Sequence, residues 1–232
     1  MGERPAGITA GRSGYAIAAD GSPLFYRVLG REDATHTVVM CDGIGCDGFV
    51  WKYLKDDLAD EYRIIHWHYR GHGRSPKPRD PTRVRTIDFA DDLASVLEDT
   101  HTESAVLMGH SMGVQVVLES YRRHRDRASA LVLVCGAPGH LLKTFRGSAG
   151  RLEPLLPSVR RAIGRAPRIF SGLSRLLIPT RLAWNIATLL EIDPELVNPV
   201  DFMPYLRGLS RVEPDYFLSV LEEATQHLSL IH

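Results

Sequence analysis

The sequence predicts an α/β fold, a doubly wound and mostly parallel sheet followed by an all-helical block. Three observations predict it. β-rich and helix-patterned stretches alternate over the first 140 of the 232 residues, and strands joined through helices pair in parallel. Runs such as Leu131-Val132-Leu133-Val134 are apolar at every position, which suits strands covered on both faces. After Gly139 the β-rich runs stop, and Pro154, Pro157, Pro167, Pro179, Pro194, Pro199, Pro204 and Pro214 divide the chain into short helices.

The elements follow in order. Residues 15–19 and 24–29 read as strands around Asp20-Gly21, a hairpin turn pair. Residues 37–41 are a short β-rich run, 49–58 a helix, and 62–67 a strand that ends in the loop Arg70-Gly71-His72-Gly73. Phe89, Leu93, Val96 and Leu97 follow helical spacing across residues 87–97, with Thr86 as the N-cap. Residues 105–108 form a strand, 114–123 a helix and 130–135 a strand. In the helical block, Ile169, Leu173, Leu176 and Leu177 share one face, and Leu182, Ile186, Leu189 and Leu190 share another. Phe217, Val220, Leu221 and Ala224 form a third stripe. This divides the chain into a core, residues 1–140, a helical block, residues 141–227, and a stub, residues 228–232.

Composition narrows the function classes. The 28 Lys and Arg balance 28 Asp and Glu, which argues against a dedicated nucleic-acid binder. A hydrophobic content of 44% excludes a wholly disordered chain. No apolar run approaches the roughly 18 residues of a membrane span. Residues 1–7 lack a signal-peptide core, and Gly2 is followed by Ala6 where myristoylation wants Ser or Thr. The expected location is the cytoplasm. Cys41, Cys46 and Cys135 form neither a disulfide framework nor a CxxC pair, so reduced thiols are expected and no metal site. Charge is uneven in the helical block: residues 141–181 carry nine Lys or Arg and one acid, Glu153, whereas 182–227 carry two Arg and eight acids. These are either solvated helix faces that attract one another, or a basic apolar surface that approaches anionic lipid or an acidic substrate.

Chemistry concentrates in Gly109-His110-Ser111-Met112-Gly113, between a strand and a helix. A serine there sits on a sharp strand-to-helix turn, and the flanking glycines let strand and helix approach closely. The helix N-terminus behind it favours developing negative charge. The alternative is an ordinary helix start. Val38-Val39-Met40-Cys41-Asp42-Gly43-Ile44-Gly45 is a strand entering a Gly-containing loop, whose N–H groups join that of Met112 in an oxyanion hole. Tyr69-Arg70-Gly71-His72-Gly73-Arg74-Ser75 taken alone is a Gly-rich turn.

The order strand–DGIG, strand–YRGHGRS, strand–GHSMG and helical insert resembles the α/β-hydrolase fold family with a cap domain. The resemblance spans nearly the whole chain. It implies Ser111 as nucleophile, Ile44 and Met112 as oxyanion N–H donors, Gly109 and Gly113 as elbow glycines, residues 141–227 as the cap, and no metal or organic cofactor. Asp42-Gly43 stands where the family commonly has His-Gly, and His68 where it often has Asp. Ser at 111 sets the chain apart from members with an Asp nucleophile, such as haloalkane dehalogenases and epoxide hydrolases.

The family's acid usually follows the seventh strand and its His the eighth, both beyond the cap. The pattern here shows six strands and ends at His232, so the last two strands, the acid and the base are read as absent. His140, after the sixth strand, is the best in-chain substitute base. The resemblance implies hydrolysis of a small, largely apolar ester or acyl compound through an acyl-serine, weak or lost in a truncated chain. The alternatives are a pseudoenzyme that binds a ligand under its cap, and an intact enzyme with a non-standard base.

Overall fold

The computed structural model describes residues 8–140, 155–190 and 192–229. The N-terminal leader reading, the first part of the basic stretch (residues 141–154), and His232 lie outside the described residues.

Six strands form one sheet: β1 (Ile8–Ile17), β2 (Pro23–Arg31), β3 (Thr37–Cys41), β4 (Arg63–Trp67), β5 (Ala105–His110) and β6 (Ala128–Val134), in spatial order β1-β2-β4-β3-β5-β6. The β1–β2 hairpin and the β2–β4 pair are antiparallel. The pairs β3–β4, β3–β5 and β5–β6 are parallel, as expected where helices return the chain across the sheet. These crossovers are α1 (Lys52–Leu58) after a single 3-10 turn at Phe49–Trp51, α2 (Thr86–Asp99) and α3 (Met112–Arg123).

Side-chain alternation splits the core into two layers. Val39, Cys41, Ile65, Trp67 and Leu107 face α2 and α3, where Phe89, Leu93, Val96, Leu97, Val116 and Val117 meet them. Val38, Met40, Ile64 and Met108 face the other way, toward Trp51 and Leu54. On β6, Leu133 remains 49% exposed.

Three local expectations need correction. The first strand begins at Ile8, because residues 8–14 pair with β2 through a bulge between Thr9 and Arg12. Thr86 is the first residue of α2 and Arg85 is its cap, fixed by the Arg85 N–H donating to the Asp88 carboxylate at 3.0 Å. The helix predicted over 49–58 is split, with the 3-10 turn first.

The helical block contains α4 (Leu156–Arg165), α5 (Pro167–Leu177), α6 (Arg181–Leu190), α7 (Pro199–Leu209) and α8 (Pro214–Gln226). The chain leaves and re-enters the sheet region at one place. Gly139 and Leu228 form an antiparallel bridge, and the His140 N–H donates to the His227 carbonyl at 3.2 Å. Several ties among the described residues hold the block to the sheet. Gln115 Nε2 donates to the Ala224 carbonyl at 2.9 Å. Tyr216 Oη donates to the Arg70 carbonyl at 2.9 Å. Phe49 packs on Phe202 and Tyr205, with Trp184 beyond them. The stripe on α8 faces inward, with Val220 and Ala224 buried and Phe217 and Leu221 packed against the core. The stripe on α5 is exposed, as are Leu182, Ile186 and Leu189 on α6.

Candidate active site

Ser111 joins β5 directly to α3 and holds a left-handed backbone, φ 55° and ψ −118°. A side chain at positive φ costs on the order of 1–3 kcal/mol and persists only where its surroundings impose it. Here they do. The Ser111 N–H donates to the Val134 carbonyl at 3.0 Å, and its own carbonyl accepts from the Val114 N–H at 3.0 Å. The glycines permit the turn: a Cβ at Gly109 would lie 2.8 Å from the Val114 nitrogen, and one at Gly113 2.7 Å from the Asp42 carbonyl oxygen. The Ser111 hydroxyl is half-buried and takes no hydrogen bond among the described residues.

The loop after β3 lies against this turn. A Cβ at Gly43 would be 3.2 Å from Ser111 Cβ and 3.1 Å from His110 Nδ1. Among the described residues, no hydrogen bond takes up the amide N–H of Ile44 or of Met112. Met112 opens α3, so its N–H has no helical acceptor and adds to the positive end of the helix dipole. Gly45, at φ +73°, turns the loop beneath Leu209, Phe217 and Tyr205 of the helical block. Beside Leu209 and Phe217 opens an apolar cavity of about 150 Å³, lined also by Ile163, Ile178 and Val212. A larger cavity of about 580 Å³ is lined by Arg27, Lys52, Lys55, Asp47 and Asp201, and Ser111 lines neither of the two.

Buried polar pairs fix the loop's far side. Asp42 Oδ2 pairs with His66 Nε2 at 2.9 Å, with both residues buried. The Asp42 carbonyl accepts from Tyr69 Oη at 2.8 Å. Asp42 Oδ1 and His110 Nδ1 are buried without a partner among the described residues. Arg70 clasps Asp92 of α2 with two hydrogen bonds, one of 2.6 Å from Nε, and reaches Asp20 at 3.0 Å. This pairing turns the YRGHGRS segment from a plain turn into an anchored corner. Ser75 completes it, accepting from the Phe25 N–H and donating to the His68 carbonyl, each at 2.8 Å.

Burial sets the titration of the surrounding groups. It pushes His68 down to about 3, and pushes His110 and His72 below the ordinary histidine value. These rings are neutral at pH 7. Burial pushes Cys41 up to about 12, and Cys46 well above the usual thiol value. Neither thiol supplies a nucleophilic thiolate.

The structure brings together Ser111, Met112, Gly109, Gly113 and the loop carrying Ile44. His140 is exposed, holds φ 52°, and makes no hydrogen bond to Ser111. Among the described residues, no histidine or carboxylate is hydrogen-bonded to the Ser111 hydroxyl, and no three His, Cys, Asp or Glu side chains cluster as metal ligands. Sequence reasoning placed Asp42 in the loop but missed its pairing with His66, and missed the Arg70–Asp92 clasp. No local signal marks either pair.

Comparison with known proteins identifies the fold. The model of the alpha/beta hydrolase fold family matches residues 36–165. Karrikin insensitive 2 receptor CA of Petunia hybrida is 30% identical over 117 residues, covering 50% of this chain and 43% of that protein. The chain spans about half the length of the curated relatives it matches. Among solved structures, the esterase RhEst1 from Rhodococcus sp. ECU1013 superposes with a TM-score of 0.64 at 24% identity, covering 95% of this chain and 74% of that one. The enol-lactonase from Burkholderia xenovorans LB400 superposes with a TM-score of 0.66 at 20% identity, covering 93% and 75%. At these identities the two structures attest a shared fold.

Proposed function

The chain belongs to the α/β-hydrolase fold family, and on that premise we propose that Ser111 is the nucleophile of an acyl hydrolase. The observation that carries the reading is the strained Ser111 turn beside two unclaimed amides, Ile44 N–H and Met112 N–H. Ser111 Oγ adds to an acyl carbonyl. The carbonyl oxygen takes up negative charge and is held by the two N–H groups and the α3 N-terminus. The Ser111 hydroxyl proton passes to solvent and the leaving group departs protonated by solvent; water then adds to the acyl-serine, releasing the acyl group as the acid and restoring the Ser111 hydroxyl. The helices α4–α8 act as the cap over this edge. The apolar cavity beside Leu209 and Phe217 favours a small, largely apolar acyl substrate.

An unassisted serine hydroxyl is a poor nucleophile at neutral pH. No described residue accepts its proton, so turnover by these residues is slow. Activated short-chain aryl esters test the reading, because their leaving group needs little proton donation. Hydrolysis should be slow and should vanish in Ser111→Ala. Equal rates from both proteins would reject Ser111 as the nucleophile.

A second reading is ligand binding without turnover. The unpartnered Ser111 hydroxyl favours it, as does the kinship with a protein named as a receptor. It requires an apolar ligand to bind Ser111→Ala as tightly as the unaltered chain.

A further inference from the structure

Helix α5 is built inside out. Ile169, Leu173, Leu176 and Leu177 lie on one face and are between 44% and 68% exposed. Phe170, Ser171 and Ser174 are half-buried on the rest of the helix, and Ser171 Oγ donates to Glu213 at 2.6 Å. A helix of a water-soluble domain turns its apolar stripe to the core. The following helix, α6, repeats the inversion: Leu182, Ile186 and Leu189 are exposed. Seven large apolar side chains on consecutive helices exceed the scattered exposure that an ordinary surface tolerates.

Charge identifies what this surface meets. Residues 155–190 contain six arginines and no Asp or Glu. Arg160 is paired with Glu222 and Arg175 with Glu213. Arg161, Arg165, Arg168 and Arg181 have no acidic partner among the described residues. A symmetric pairing with a second copy lays the same patch against itself, and so sets one arginine-rich face against another. A surface of anionic headgroups over acyl chains answers both features, since guanidinium groups pair with phosphate and the apolar stripe enters the boundary region.

We propose that α5, continued by α6, docks on an anionic lipid bilayer. Ile169, Leu173, Leu176 and Leu177 bury in the headgroup–acyl boundary, and Arg165 and Arg168 contact lipid phosphates. The docking does not depend on hydrolysis.

Co-sedimentation tests it, using the 232-residue chain, phosphatidylcholine vesicles, and the same vesicles containing phosphatidylglycerol. The chain should sediment with the anionic vesicles at low salt and be released at high salt. Arg165→Gln with Arg168→Gln should weaken binding about 30-fold, at about fivefold per arginine near an anionic surface. Leu173→Gln with Leu176→Gln should weaken it about tenfold or more, through the lost apolar burial. These side chains are exposed, so thermal melting of both variants should match the unaltered chain, and Ser111→Ala should bind vesicles normally. No sedimentation with anionic vesicles, or equal sedimentation with phosphatidylcholine alone, overturns the proposal. So does a dimer in analytical ultracentrifugation that Leu173→Gln with Leu176→Gln dissociates.

Discussion

Substituting Gly113 by alanine sets two effects against each other. Gly113 lies in α3, and replacing a helical glycine by alanine ordinarily stabilises by about 1 kcal/mol. At this site the added methyl would lie 2.7 Å from the Asp42 carbonyl oxygen and closer still to that of Cys41. Ordinary contact begins at 3.4 Å, and both obstacles are backbone. The end of β3 must therefore retreat by about 0.7 Å or more, an overpacking that costs up to about 3 kcal/mol. The net expectation is a loss of about 2 kcal/mol, or about 4–8 °C in melting temperature for a chain of this size. Gly172→Ala in α5 is the matched comparison: nothing lies within 4 Å of its new methyl, so it should gain roughly 0.5–1 kcal/mol. Melting followed by circular dichroism reads both. A Gly113→Ala chain at least as stable as the unaltered one would refute the close approach of α3 to the Ser111-facing loop.

Other expectations concern the corner around Ser111. Asp92→Asn should cost about 3 kcal/mol or more in urea denaturation, because it strips a buried Arg70 of its two-bond partner; a loss under about 1 kcal/mol contradicts the clasp. Burial holds His68 near 3, against an ordinary value of 6.5. Between those pH values the unfolded chain binds the proton and the folded chain does not, so stability falls as pH falls through that window, by up to about 1.4 kcal/mol per pH unit. Protonating His68 would also forfeit the bond its Nδ1 accepts from the Arg74 N–H at 2.8 Å. A flat stability profile from pH 6.5 toward 4 would contradict the burial of His68, His72 and His110. Cys41 and Cys46 should resist alkylation at pH 8 until the chain unfolds, whereas exposed Cys135 should react at once; equal rates for the three would contradict the two-layer core.

The Ser111 turn was legible because it makes demands that few residues meet: side-chain-free positions at 109 and 113, between an apolar run and a helical pattern. Parallel strands were legible for a similar reason, since Leu131-Val132-Leu133-Val134 leaves no polar face. Residues 8–14 escaped because Gly11 and Gly14 read as punctuation, and only pairing with β2 makes them a strand. Spacing also located the α5 and α6 stripes but not their direction. Periodicity fixes which side chains share a face, and the neighbouring elements decide where that face points. The Asp42–His66 and Arg70–Asp92 pairs were illegible because their members sit 24 and 22 residues apart and meet only across the folded sheet.

The Ser111 hydroxyl, proposed as the nucleophile, is activated by no described residue. Fluorophosphonate labelling with peptide mapping tests it most directly, because the reagent reports an activated serine hydroxyl. Slow modification is expected, confined to Ser111, at a rate that His140→Ala leaves unchanged. Rapid labelling of Ser111 that His140→Ala abolishes, or modification of another residue in its place, would contradict it.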